Sequence, residues 1–173
     1  MTKVDTDILI VGAGMAGAAT AYHLAKRANL GVLIVEQEET AGVHSSGRNA
    51  AIIREHADEP ELQQLLSDGA RFLRRGELAE YEQRGLMVMG RGDDDVQEYF
   101  RRAQGSGLWC PQDGTVDVAG LLQSYLAGQE VRYKTSVEDW TEERDLLQVS
   151  TNHGTITCKL LVNAAGPWAG RLG

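Results

Sequence analysis

Cysteine is scarce: the 173 residues contain only Cys110 and Cys158. Two thiols cannot build a disulfide framework, and they are too few for a zinc site without help from histidine. No metal centre is expected, and a reducing compartment is the default for such a chain. Positive charge is also short, 17 Lys and Arg against 25 Asp and Glu, for a formal net charge of −8. A nucleic-acid partner requires a basic face to neutralise phosphates, and no basic stripe is present. The acidic charge is interspersed except at Asp93, Asp94 and Asp95, which read as a solvated turn. Long apolar runs are missing as well. The first, Ile8 to Val11, is far too short for a signal-peptide core or a membrane span, and no charged-then-apolar leader opens the chain. A cytoplasmic protein without membrane association is the expectation. No internal repeat, low-complexity tract or flexible linker is visible. What remains is an ordinary globular composition, 42% hydrophobic, at a length that suits one domain or one domain plus a small insert.

The N-terminal fifty residues carry the strongest pattern. Asp7-Ile8-Leu9-Ile10-Val11 is a continuous apolar run ending at glycine, as expected for a strand buried on both faces of a parallel sheet. Gly12-Ala13-Gly14-Met15-Ala16-Gly17 follows at once. Ala18 to Arg27 reads as a helix with Ala21, Leu24 and Ala25 on one face. Val32 to Val35 reads as a second buried strand ending in Glu36, which completes a β-α-β unit. In that context the glycines have separate duties. Gly12 permits the tight strand-to-helix turn, Gly14 lets backbone approach a pyrophosphate, and Gly17 lets the helix pack closely on the strand. The N–H groups at the helix start would face the phosphates. Glu36 would accept the ribose hydroxyls and repel a 2′-phosphate, which disfavours NADP. FAD and NAD both remain open on these residues. The long detour between Glu36 and the next good strand, Glu130 to Lys134, is the first sign of a flavoprotein, because an NAD dehydrogenase usually continues β-α-β directly.

Beyond Glu36 the pattern is looser. Residues 38–49 read as a loop. Pro60 suits the first position of a helix behind Asp58 and Glu59. Leu62, Leu65, Leu66 and Leu73 extend that helix into the low 70s or beyond Gly76. Leu86 to Met89 is a short strand, 93–103 a mostly polar helix and 105–114 a loop. Asp117 precedes a helix carrying Leu121, Leu122, Tyr125 and Leu126, stopped by Gly128. Strands are expected at 130–134, 137–141, 146–151 and 155–163. Turns separate the last three, at Glu142 to Asp145 and at Asn152-His153-Gly154. The last strand alternates at Ile156, Cys158 and Leu160, as a half-exposed antiparallel strand should, and ends continuously apolar at Leu160-Leu161-Val162, as a central strand should.

Four stretches resemble the D-amino-acid oxidase and glycine oxidase superfamily of FAD-dependent oxidoreductases. They are Ile10 to Gly17, Gly42-Val43-His44-Ser45-Ser46-Gly47-Arg48-Asn49-Ala50-Ala51, Asp113-Gly114-Thr115-Val116-Asp117, and Leu161-Val162-Asn163-Ala164-Ala165-Gly166-Pro167-Trp168. Within that superfamily the likeness is to the bacterial D-amino-acid dehydrogenase type, such as D-arginine dehydrogenase. The resemblance implies an α/β, Rossmann-like FAD-binding fold. Strands 7–11, 32–36, 130–134 and 160–163 would form a parallel sheet in the order 3-2-1-4, with a small antiparallel crossover between 137 and 157. Residues 1–50 and 114–173 would form the FAD-binding domain, and 51–113 part of a substrate-side region.

The resemblance also implies roles. The segment Ser45-Ser46-Gly47-Arg48-Asn49 would wrap the flavin pyrophosphate and run beneath the isoalloxazine ring, with Arg48 neutralising phosphate charge. Val137 would offer its backbone to the adenine edge. Ala164, Ala165 and Gly166 would clear room for the dinucleotide. His44 would be a noncovalent neighbour of the cofactor, although a histidine in this neighbourhood carries the flavin covalently in relatives of the dimethylglycine dehydrogenase kind. The candidate FAD-binding set is Gly12, Gly14, Met15, Ala16, Gly17, Glu36, Gln37, His44, Ser45, Ser46, Gly47, Arg48, Asn49, Val137, Ala164, Ala165 and Gly166. No side chain is assigned as catalytic. The implied chemistry is oxidation of an amine or D-amino acid by hydride transfer to flavin, with the imine hydrolysed to a keto acid. Compared with the family, 90–113 looks shortened and the chain stops soon after Trp168, so a fragment is expected. A complementing chain or a homo-oligomer would then complete it. Three functions stay in play: an FAD-dependent amine oxidoreductase, a non-catalytic FAD- or ADP-binding module, and an NAD-dependent enzyme.

Overall fold

A computed structural model describes residues 4–27, 29–55, 57, 59–88 and 108–172. The chain divides into two compact units, Met1–Asn49 with Val118–Gly173, and Ala50–Asp117.

The first unit is built on six strands in one sheet. They are β1 (Thr6–Val11), β2 (Val32–Val35), β8 (Glu130–Arg132), β9 (Val137–Glu143), β10 (Leu146–Thr151) and β11 (Gly154–Asn163). Their order is β8-β2-β1-β11-β10-β9. The first four are parallel, with Ile8 opposite both Val32 and Leu160, so the expected order 3-2-1-4 is what the chain adopts. The crossover is antiparallel, but it is continuous with the main sheet rather than separate from it. The ten residues of β11 make this possible. The first half of that strand pairs with β10 and the second half with β1.

The unbroken apolar run of β1 is explained by burial on both faces. Ile8 and Ile10 pack with Ile34, Ala13 and Ala21 on one side, while Leu9 and Val11 pack with Leu33, Val35, Val149 and Ile156 on the other. Helix α1 (Met15–Arg27) lies along β1 and β2 and packs on α3 (Val118–Leu126). Its buried residues are Gly17, Ala18 and Ala21, so the inward face is Gly17-Ala18-Ala21-Leu24. Ala25 is exposed, contrary to the face read from spacing. Small residues on this face let helix and strand approach closely. One expectation for β11 fails: Leu160 is 52% exposed. Helix α1 packs on α3, β1 and β2, and α3 packs on α1 and the 3-10 turn Ser45–Gly47, so the apolar end of β11 lacks the cover that a central strand has. The β8 strand also ends at Arg132, two residues earlier than expected, because Lys134 turns into the left-handed region (φ 54°). The β9–β10 turn is narrower than read, with only Arg144 and Asp145 in it, both at positive φ.

The second unit holds β3 (Ile52–Ile53), α2 (Pro60–Leu73), β4 (Tyr81–Gln83), β5 (Leu86–Val88), β6 (Leu108–Cys110) and β7 (Gly114–Val116). β7 is the centre of an antiparallel sheet in the order β3-β7-β4, and β5 pairs with β6. Helix α2 begins at Pro60 as expected. Its inward face is Leu66-Ala70-Leu73, whereas Leu62 and Leu65 are 46% and 69% exposed. The loop expected at 105–114 contains β6 and the first residue of β7. Three-residue strands are too short to show a period. The helix expected at 93–103 and the end of the strand at Met89 lie outside the described residues. Asp113 is buried here and its Oδ1 accepts the Glu55 N–H at 3.0 Å.

Among the described residues no helix is long and apolar enough to cross a membrane, and no group of three or more His, Cys, Asp or Glu is placed to hold a metal.

Two outcomes follow from this packing. Ile34 is fully buried, so Ile34→Ala should cost about 2–5 kcal/mol in urea denaturation, whereas Leu65→Ser should stay within about 0.5 kcal/mol of wild type. Burial pushes the Cys158 thiol up, and burial with the nearby Asp113 carboxylate pushes up Cys110. Access then decides: at about pH 8 a thiol reagent should label the partly exposed Cys110 and leave Cys158 until the chain unfolds.

Candidate functional site

The turn between β1 and α1 is held by three strand ends. Gly12 N–H donates to Val35 O at 2.8 Å, and Ala164 N–H donates to Val11 O at 3.0 Å. The third contact comes from Glu36, which is only 9% exposed. Its Oε2 accepts the Ala13 N–H at 2.7 Å and its Oε1 accepts the Glu38 N–H at 3.0 Å. A carboxylate therefore sits inside the glycine turn, at the end of β2. Such charge-assisted bonds to backbone donors are among the stronger ones available to a protein.

The three glycines serve distinct needs. Gly12 has φ 105°, and a Cβ there would fall 2.5 Å from Ala164 O. At Gly17 a Cβ would fall 1.9 Å from Gly12 O, so helix and turn touch directly. Gly14 differs: a Cβ would meet only Ser46 Oγ, at 3.1 Å. That position lines the cavity described next. Ser46 Oγ also accepts the Met15 N–H at 2.8 Å, which ties the 3-10 turn Ser45–Gly47 to the start of α1.

A cavity of about 500 Å³ opens at this point, within the usual size range of ligand pockets. Of the expected residues, Gly12, Gly14, Met15, Ala16, Glu36, Gln37, His44, Ser45, Ser46, Val137, Ala164, Ala165 and Gly166 line it. Gly17, Gly47, Arg48 and Asn49 do not. Gly17 is buried behind the turn. Gly47 closes against Gly42 O, where a Cβ would stand 2.3 Å away. Asn49 folds back, its Nδ2 donating to Ser46 O at 2.7 Å. Arg48 is exposed and away from the lining. The cation that does line the cavity is Arg171, in the 3-10 segment Gly166–Arg171.

Several lining residues were not singled out from sequence: Gly42, Val43, Thr135, Ser136, Trp168 and Arg171. Gly42, Val43 and Trp168 lay within stretches already noted, so position in those stretches was an available signal. Thr135 and Ser136 had none, since they follow a short strand in a polar segment. His44 is fixed from two sides. Its Nε2 is 2.8 Å from Glu38 Oε1, and its ring lies 4.5 Å from that of Trp168.

The chain matches the model of the FAD dependent oxidoreductase (DAO) family over residues 7–106 and 96–173. It belongs to that family, whose cofactor is FAD. It is 26% identical to human mitochondrial sarcosine dehydrogenase, in a match covering 96% of this chain and 23% of that protein. Among solved structures it resembles L-proline dehydrogenase from P. horikoshii (TM-score 0.82, 20% identity, 99% of this chain and 55% of that one). It also resembles glycine oxidase from Bacillus cereus (TM-score 0.77, 20% identity, 97% and 58%). At these identities the structural likeness concerns the fold. The chain spans about a quarter of the curated sarcosine dehydrogenase. The D-arginine dehydrogenase likeness is not among these findings.

The residues present fit a dinucleotide. A helix start opens on the cavity beside Gly14, where a side chain would intrude, and a buried carboxylate stands at the adjoining strand end.

Gly17→Ala should therefore destabilise the free protein by about 1–3 kcal/mol or more through overpacking. Gly14→Ala, with only a serine hydroxyl to displace, should cost less than about 1 kcal/mol. Thermal unfolding of both variants without ligand checks the order.

Proposed function

We propose that the first unit binds FAD in this cavity and forms the cofactor-holding part of an oxidoreductase acting on an amine or amino acid. The observation that carries the reading is Glu36 inside the glycine turn, 2.7 Å from Ala13 N, beside the opening of the cavity. In this reading the start of α1 at Gly14, Met15 and Ala16 receives the diphosphate. Glu36 and Gln37 meet the ribose, and Val137 the adenine. Ser45 and Ser46 run beside the diphosphate, with Gly47, Arg48 and Asn49 shaping that loop from behind. Ala164, Ala165 and Gly166 leave room for the chain of the cofactor. His44 and Trp168 stand together as a noncovalent wall, with His44 Nε2 already engaged by Glu38. Arg171 takes over the charge-neutralising part first read for Arg48, because it lines the cavity and Arg48 does not.

FAD, when bound, would supply the two-electron oxidant for the carbon bearing the substrate nitrogen, and hydrolysis of the resulting imine would give a carbonyl compound (a keto acid from a D-amino acid) and ammonia or an amine. The protein's share is to bind, orient and shield. No side chain of this unit is required as an acid or base if the amine arrives unprotonated. The names sarcosine dehydrogenase, glycine oxidase and L-proline dehydrogenase among the relatives favour a small amino acid or N-substituted amine. The likeness to D-arginine dehydrogenase adds D-amino acids as a class to test. Residues 51–113 form part of the substrate side in this scheme. The second reading is a non-catalytic FAD-binding module, favoured by a cavity lined by residues of the first unit alone. Two cysteines that form no disulfide, Cys110 and Cys158, favour a reducing compartment such as the cytoplasm.

The apo chain mixed with FAD should turn yellow and retain flavin through gel filtration, and acid precipitation should release it unmodified. Glu36→Gln should weaken FAD binding by about tenfold, having lost the charge on its bond to Ala13 N. Dye reduction with sarcosine, glycine, proline or a D-amino acid supports the enzyme. Yellow protein without dye reduction supports the binding module. A wild-type chain that binds no flavin at all sinks both.

A further inference from the structure

The wall of the cavity at Thr135, Ser136 and Val137 is formed by the connector between β8 and β9 and the first residue of β9. This connector is clamped from two sides. On one side Lys134 N–H donates to Glu38 O at 3.0 Å and Thr135 N–H donates to Glu36 O at 2.8 Å. On the other side stands the tip of the β10–β11 hairpin. Asn152 Nδ2 donates to Lys134 O at 2.9 Å, Asn152 Oδ1 accepts the Ser136 N–H at 2.9 Å, and Asn152 N–H donates to Ser136 O at 3.2 Å. His153 Nε2 lies 3.0 Å from the same Lys134 oxygen.

Two features make this more than a surface contact. Lys134 has φ 54°, a conformation that a lysine adopts only where its surroundings impose it. The bridge also needs one side chain that donates and accepts at once, to opposite backbone groups two residues apart. A primary amide does that, whereas a carboxylate or a hydrocarbon does not. Asn152 is itself exposed and does not line the cavity, so it can act on a ligand only through the wall it holds.

We propose that Asn152 is a positioning residue for the adenosine side of the cofactor cavity. It holds Lys134 in its strained turn and so pre-forms the wall at Thr135–Val137. This inference rests on the FAD reading above. It adds that the ADP half of the cofactor meets a surface built by a hairpin distant in sequence. Without the amide bridge the connector is less ordered in the free protein, and binding must supply that order.

The test compares the full chain with Asn152→Ala, Asn152→Asp and Gly154→Ala, measuring ADP and FAD affinity by calorimetry well below each unfolding temperature. Gly154 sits at the same hairpin tip with φ 114° and open space around it, so its alanine variant strains the turn without removing the bridge. Asn152→Ala should weaken ADP and FAD by the same factor, about tenfold. Asn152→Asp keeps the acceptor for Ser136 N–H but loses the donor to Lys134 O. It should show a smaller loss in the same direction, and it carries the test if the alanine variant does not fold. Gly154→Ala should lower the unfolding temperature yet keep ADP affinity within about twofold. Unchanged ADP affinity in folded Asn152 variants would overturn the proposal, and so would an equal loss in Gly154→Ala. A wild-type chain that binds neither ADP nor FAD removes the underlying reading instead, and is recognised without any variant.

Discussion

The first unit depends on one contact, the Glu36 carboxylate against the backbone of the glycine turn. Three strand ends converge there. β1 runs into Gly12, β2 runs into Glu36, and β11 delivers Ala164 close enough to Gly12 that no side chain fits between them. A buried acid is costly unless its oxygens are paired. Here each oxygen has a backbone N–H within 3.0 Å. The same acid fixes the segment after β2, and that segment's carbonyls at Glu36 and Glu38 fix the connector after β8. The cavity walls are thus mechanically linked through one residue.

This arrangement explains why small residues concentrate where they do. Gly12, Gly17 and Gly47 are small because backbone lies against them, at 2.5, 1.9 and 2.3 Å from where a Cβ would be. Gly14 is small for a different reason, since only a hydroxyl lies nearby. Three positions serve the fold and one serves the space beside it. The family's FAD, with its diphosphate, is the kind of group that such a bare helix start accommodates.

The legible parts of the sequence were those where a period or a fixed spacing has a direct geometric cause. The run Ile8–Val11 could only be buried on both faces, and the interval from Gly12 to Glu36 is that of a complete β-α-β unit. The order of the four parallel strands came from resemblance rather than from periodicity, and the structure adopts it. Less legible were features set by contacts between distant segments. Leu160 looked buried because its neighbours are apolar, yet its cover depends on where the helices lie. Leu62 and Leu65 fit a helical spacing but fall on the outer side of α2. Strands β3, β4, β6 and β7 are two or three residues long and exist through their partners. At the site, Arg48 stands out as the arginine within a family stretch, while Arg171, which lines the cavity, lies three residues past the last of those stretches. Thr135 and Ser136 could not be found from sequence, because a hairpin tip beginning sixteen residues later places them.

The measurement that bears most directly on this account is a crystal structure of the chain with FAD bound. The account predicts the diphosphate against the backbone at Gly14 and Met15, with Glu36 touching the ribose and Val137 beside the adenine. A flavin nucleotide bound elsewhere on the chain, or bound in this cavity with its ribose away from Glu36, would contradict it.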